Sequence, residues 1–244
     1  MLMSMKHQKQ QHNYAEIRRK DLGICIFNMY MSNSIKKEKK LNTIIYFFMF
    51  ALGTVLGSFY TLAVYRIPLK QDITHTRSYC PKCNHKLNFL DLIPVLSYIF
   101  LGGKCRYCKN KIRPRYIILE ILSGTVFLLY AMLLDINILN IEYEKIMALI
   151  FGVLFLSTIF IIIGIFKEHK QIEKVVFNFG IVVEIIYMIY LYILNTSIYR
   201  YIIYIIGLIL IAILNNEKTT TQKLKKILFV IYMVIGIIEI MISI

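Results

Sequence analysis

The 244-residue chain has no tryptophan, only four prolines, and 14 acidic residues against 29 lysines and arginines. All four prolines (Pro68, Pro81, Pro94 and Pro114) fall between Arg66 and Arg115, so proline interrupts no apolar run of the second half. Without tryptophan, anchoring at a membrane surface falls to the tyrosines and phenylalanines at the ends of the apolar runs. No aspartate follows Asp135, so the second half has only glutamates for side-chain carboxylate chemistry. Residues 1–42 lack a long apolar run; they are polar and basic, with Lys6, Lys9, Arg18, Arg19, Lys20 and a cluster at 36–40, and are expected to form a disordered tail. Cys25 in that tail reads as a free thiol, and Met29 and Met31 would permit a start downstream of Met1. A small-residue cleavage site is also missing, and the run at 44–64 is too long for the apolar core of a signal peptide.

The chain is 58% hydrophobic, with a mean hydropathy of +0.62. The excess is concentrated in blocks of about 20 residues, the length that crosses about 30 Å of hydrocarbon and that a soluble core does not require. The blocks are 44–64, 116–134, 146–166, 175–194, about 198–214 and 227–244. The expected fold is an all-α polytopic membrane protein of about six transmembrane helices, with a small zinc-knuckle loop between the first and second spans. An apolar stretch at 90–101 is too short to cross and contains Pro94; it is expected to pack on that loop or to lie in the membrane interface. The net charge of +15 sits mostly in loops beside apolar runs, which points to membrane lipids as partners rather than nucleic acid. The loops at 66–115, 167–174 and 218–226 are rich in lysine or arginine, whereas the turns at Asp135 and Thr196 are acidic or nearly neutral. The basic loops should therefore face the cytoplasm, which leaves the basic tail outside as the one clash with the rule.

Within the first loop, Cys80-Pro81-Lys82-Cys83 and Cys105-Arg106-Tyr107-Cys108 have the spacing of a four-thiolate zinc site, each pair supplying two sulfurs from one tight turn. Asn84 and Asn110, just after the pairs, are candidates for the left-handed backbone of such knuckles. Four thiolates on Zn²⁺ carry a net charge of about minus two, which Lys82, Lys86, Lys104, Arg106 and Lys109 would offset. Two disulfides or four reduced thiols are the alternatives; a reducing cytoplasm disfavours the disulfides.

Gly57-Ser58-Phe59, Tyr65-Arg66-Ile67-Pro68, the two cysteine pairs, Asp91-Leu92-Ile93-Pro94-Val95-Leu96-Ser97-Tyr98, and Pro114-Arg115-Tyr116 with Glu120 follow one another in an order that resembles the N-terminal domain of prepilin peptidases. Thr61 departs from the asparagine expected after Gly-Ser-Phe. The resemblance covers about residues 50–130. It implies a multi-pass enzyme of the bacterial inner membrane whose tetracysteine loop is cytoplasmic and whose substrates are type IV prepilins or pseudopilins. It further implies zinc and, where methyl transfer is retained, S-adenosylmethionine. It divides the chain into the tail 1–42, an N-terminal-like domain 43–134 with its zinc loop 66–115, and a four-span domain 135–244 that is degenerate relative to the family's catalytic domain.

That family resembles aspartyl proteases, with one aspartate in Asp-x-x-x-x-x-Ile-Pro and another in Gly-x-Gly-Asp. Here the two places read Phe166-Lys167-Glu168-His169-Lys170-Gln171-Ile172-Glu173-Lys174 and Thr219-Thr220-Thr221-Gln222-Lys223-Leu224-Lys225, so no catalytic residue is assigned. Glu168, Glu173 and Glu217 are substitute acids to weigh against plain surface charge. Glu184 and Glu239 lie within spans, as neutral carboxyls paired to a neighbouring helix or as functional groups. His169 reads as solvated, and His75 and His85 as bystanders to a site that four cysteines already complete. The favoured expectation is a family member linked to pilin processing and pilus assembly proteins, without competent protease chemistry. The alternatives are an active peptidase with a divergent acid pair, and a membrane-tethered zinc-ribbon binding module.

Overall fold

A computed structural model of the chain describes residues 31–32, 36–37, 39–75, 77–136, 142–194, 198–217 and 220–243. Expectations on residues 1–30, including Cys25, and on Asn140, Thr196, Ser197 and Lys218 lie outside them. Two compact units are distinguished, Met1–Ile45 with Asn137–Asn140, and Tyr46–Ile136 with Ile141–Ile244. The described part of the first is helical, with Thr43 Oγ1 bonding back to the Lys39 carbonyl at 2.8 Å. Everything that follows concerns the second.

The described residues are helical, apart from loops and two isolated β-bridges. Helix α1 (Lys39–Arg66) leads into the cysteine loop. This loop holds a 3-10 turn (Phe89–Asp91) and the short helix α2 (Leu96–Phe100). Then come α3 (Arg115–Leu133), α4 (Tyr143–His169), α5 (Lys174–Leu194), α6 (Ile198–Asn216) and α7 (Gln222–Ser243). By length and composition α1, α3, α4 and α5 can cross a membrane. The apolar stretch of α6 is shorter, at Tyr201–Asn216, and α7 carries Lys223, Lys225, Lys226 and Glu239.

Helices in lipid gain little from burying apolar surface on one another, so close backbone approach and interhelical hydrogen bonds hold such bundles together. Both are present. A Cβ at Gly53 would lie 2.7 Å from the Gly124 backbone, and Ser123 Oγ on α3 donates to the Gly53 carbonyl on α1 at 2.6 Å. Tyr60 and Ser157 join α1 to α4 at 2.6 Å. Thr158 and Tyr232 join α4 to α7 at 3.0 Å, and Tyr130 on α3 donates to the Ala148 carbonyl of α4 at 2.7 Å. The fully buried Asn215 and its neighbour Asn216 exchange amide bonds with Asn178, each at 2.8 Å, fastening α6 to α5.

The three basic loops share one end of this unit. Arg115 at the start of α3 is ion-paired with Glu168 at the end of α4. The Ile172 amide donates to Gln222 Oε1 at 3.3 Å, and Lys174 Nζ to the Asn216 carbonyl at 3.2 Å.

A candidate metal centre keyed to the first helix pair

Residues 78–87 and 103–112 fold as the same ten-residue knuckle twice. In each, the first cysteine's amide donates to the carbonyl two residues after the second cysteine: Cys80 to His85 at 3.0 Å and Cys105 to Asn110 at 2.9 Å. The next return bonds are also matched, Asn84 to the Cys80 carbonyl at 2.8 Å and Lys109 to the Cys105 carbonyl at 3.0 Å. The bridges Tyr79–Lys86 and Lys104–Lys111 close the two turns. The left-handed residues are Asn84 and Lys109, both at φ 57. Asn84 fits the expectation, whereas Asn110 is corrected to Lys109. The turn demands a positive φ at the first residue after the second cysteine, and that position overrides the residue preference that would have chosen asparagine.

The knuckles bring Cys80, Cys83, Cys105 and Cys108 together with their sulfurs within 4.8 Å of one another. Cys80 Sγ and Cys108 Sγ lie 3.9 Å apart, and all four are free thiols. A tetrahedral Zn²⁺ with bonds of about 2.3 Å spaces its sulfurs about 3.8 Å apart, so the cluster has the dimensions of such a site. Burial raises the Cys80 thiol, but amide bonds from Cys83 and Lys82 and the neighbouring sulfurs bring it down to about 7. The His85 amide lowers the Cys83 thiol, but desolvation and the sulfurs of Cys108, Cys80 and Cys105 outweigh it and leave it at about 11. Four sulfurs this close do not all ionise without a cation among them, which is the chemistry of a metal-ligand set. Of the described residues between 67 and 114, only Cys80, Gly103 and Cys105 are buried, so the loop has almost no apolar core of its own. His75 bonds to Asp72, and His85 stacks on Tyr107, so neither histidine belongs to the cluster.

A relay of contacts ties the second knuckle to α1 and α3. Arg106 is taken up by Asp91 at 2.6 Å rather than left to offset thiolate charge. Tyr107 accepts from Asn88 at 3.0 Å, and Asn88 and Asp91 cap the 3-10 turn reciprocally. Val95 has φ 62 and ψ −52, a strained backbone for a β-branched residue. Its amide donates to Glu120 Oε2 at 2.7 Å. Glu120 is buried on α3 and is also bonded by Ser58. Gly57, one residue earlier, lets the helices close: a Cβ there would lie 2.8 Å from Glu120 Cα and nearer still to Ser123 Oγ. We expect Gly57→Val to cost about 1–3 kcal/mol, as overpacking does. The measurement is the thermal midpoint of detergent-purified protein. Gly207→Ala, whose Cβ has no neighbour nearer than 4.0 Å, should leave that midpoint unchanged.

The candidate acids fare differently. Glu168 is held by Arg115, and Glu173 accepts from Gln171 Nε2 at 2.7 Å. Glu217 is exposed at the end of α6. His169, read as solvated, is instead half-buried, with Nε2 enclosed and unpartnered. The α4 helix runs three residues past Phe166 before Lys170 ends it in a left-handed turn, and this carries His169 into the packed end of the bundle. Glu184 on α5 and Glu239 on α7 are both 3% exposed. They line one cavity of about 10 Å³ with Tyr130, Phe155 and Gly236, and both oxygens of Glu184 and one of Glu239 have no partner among the described residues. Sequence reading named each carboxyl without seeing that the two meet.

Residues 51–134 match the family model described as Bacterial Peptidase A24 N-terminal domain. The prepilin leader peptidase/N-methyltransferase of Myxococcus xanthus is 42% identical over 80 residues, covering 33% of this chain and 24% of that protein. The protein of that name from Vibrio cholerae is 41% identical over 86 residues, 32% of this chain and 34% of its own length. In Bacillus subtilis a protein so named is 42% identical over 79 residues, 32% of each. The chain thus spans a quarter to a third of these curated relatives. No solved structure matches it.

Proposed function

We propose that the A24-type N-terminal domain and its zinc module make this chain a multi-pass protein of the bacterial inner membrane that handles type IV prepilins or pseudopilins, without aspartyl protease chemistry of its own. The observation that carries this reading is the tetracysteine cluster within a match at 51–134, in a chain with no aspartate after Asp135. Cys80, Cys83, Cys105 and Cys108 would hold the zinc. A shell closed by four cysteines supplies structure and leaves no position for an activated water. The carboxyl pair of Glu184 and Glu239 is no substitute dyad, because a cavity of about 10 Å³ admits no peptide. S-adenosylmethionine enters only if this chain retains methyl transfer.

The reading is tested by co-expressing the tagged chain with a prepilin in a host that lacks its own prepilin peptidase. We expect the prepilin to co-purify with its leader attached. Failure to co-purify, with both proteins present in the membrane, would remove prepilin as the partner.

The same reading places the cysteine loop and the loops at 167–174 and 217–226 in the cytoplasm, and domain 135–244 as four spans. Its support is the lysine and arginine content of the three loops and the contacts that gather them at one end. In a Cys25→Ser background, Asn140→Cys should react with an impermeant thiol reagent in intact cells, and Lys170→Cys only after lysis. The reverse pattern would invert the topology.

A further inference from the structure

The cysteine loop carries apolar surface that its own fold does not cover. Phe89 is 80% exposed and Phe100 82%, and Leu90, Leu96 and Ile99 are also exposed. These residues sit on the 3-10 turn and α2, which pack against each other. The polar side chains of the same stretch turn the other way: Asp91 is 3% exposed at Arg106, and the Val95 amide is on Glu120. The segment is therefore amphipathic, with its polar contacts spent on the knuckle and α3 and its apolar face left outward.

Its depth follows from the same contacts. Glu120 lies five residues inside α3, about 7–8 Å along the axis from Arg115. On α1 it is level with Gly57, nine residues before the end of that helix. Val95 is hydrogen-bonded at that level, so the segment lies beside the first turns of the span and continues the exposed apolar face of α3 at Ile118 and Leu122. Just beyond α2, Tyr98, Lys104, Lys111 and Arg113 line an open cavity of about 360 Å³ with three cationic side chains. An apolar wedge at the depth of the outer helix turns, with cations directly above it, matches the layering of acyl chains beneath anionic headgroups.

We propose that residues 89–100 insert into the membrane interface, with Phe89, Leu90, Leu96, Ile99 and Phe100 among acyl chains and Lys104, Lys111 and Arg113 on the phosphates of anionic lipids. The proposal rests on the reading that the chain spans a membrane. In function, the wedge fixes the height of the zinc module over the bilayer.

The absence of tryptophan gives a clean test, because any introduced indole is the single indole emitter. The full chain is reconstituted into vesicles of phosphatidylcholine and phosphatidylglycerol with bromine on the upper or the lower acyl carbons. Phe100→Trp should emit at shorter wavelength and lose most of its intensity to the upper bromines, with little response to aqueous iodide. Tyr79→Trp, on a knuckle, should respond to iodide alone. Ile163→Trp, exposed on α4, should be quenched by bromine. An unquenched Ile163→Trp would overturn the membrane reading itself. A quenched Ile163→Trp beside a bromine-insensitive Phe100→Trp would overturn the wedge alone and assign its face to a protein partner or a second copy. Phe89→Trp repeats the test should Phe100→Trp fail to fold. Replacing phosphatidylglycerol by phosphatidylcholine should weaken the quenching of Phe100→Trp, and Lys104→Glu with Lys111→Glu should abolish that dependence. A dependence unchanged by the double variant would overturn the lipid-phosphate contacts.

Discussion

Purified protein is expected to contain one zinc ion per chain, and the Cys83→Ser Cys108→Ser variant none. The loop from 67 to 114 cannot fold by burial, since its buried described residues are two ligand cysteines and a glycine. Structural zinc sites supply about 10–16 kcal/mol of apparent binding energy, far more than the two isolated bridges and the Arg106–Asp91 pair provide here. Removing one sulfur from each knuckle leaves two ligands, so affinity should collapse rather than decline. Elemental analysis reads the metal, and protease cleavage at the lysines of the knuckles reads the fold. Chelation should make Lys86 and Lys109 rapidly cleavable while the helical signal of the bundle persists. Zinc well below one equivalent in the unaltered chain, or the same zinc in the double variant, would contradict the assignment.

The second large effect is on leader cleavage, which should stay at background. Water attack on an amide needs one carboxylate as base and a protonated partner as acid, two roles that a closely spaced pair achieves by sharing one proton. Each role is worth about 10² to 10⁴ in rate, so a chain that lacks both is reduced to the uncatalysed reaction on any practical timescale. The acids nearest the expected positions are poorly suited. Arg115 favours the ionised form of Glu168, which disqualifies it as the acid. Glu173 is occupied by Gln171. Accordingly Glu168→Gln and Glu217→Gln should change nothing in a cleavage assay, although Glu168→Gln frees Arg115 and should lower stability modestly.

What the sequence revealed and what it hid differ by range. The cysteine pairs were legible because each knuckle is closed by contacts within ten residues, and the helices because apolar runs of their length admit little else. Asn110 was chosen over Lys109 because residue preference was consulted where turn position decides. The Val95–Glu120 bond links residues 25 apart across a strained turn, which no local pattern marks. Glu184 and Glu239 could not be seen to meet, because helices that are apolar all round do not announce which face turns inward. His169 was misread because the end of α4 lies three residues beyond the apolar run, where charge alone suggested solvent.

The most direct test of the central claim, a zinc-bearing A24-type domain without protease chemistry, is the mass of a prepilin co-expressed with this chain in a host lacking its own prepilin peptidase. The account predicts the full-length mass, leader attached, at every expression level of the chain. A mature mass that appears with the unaltered chain and disappears with Glu168→Gln or Glu217→Gln would contradict it and establish a glutamate dyad.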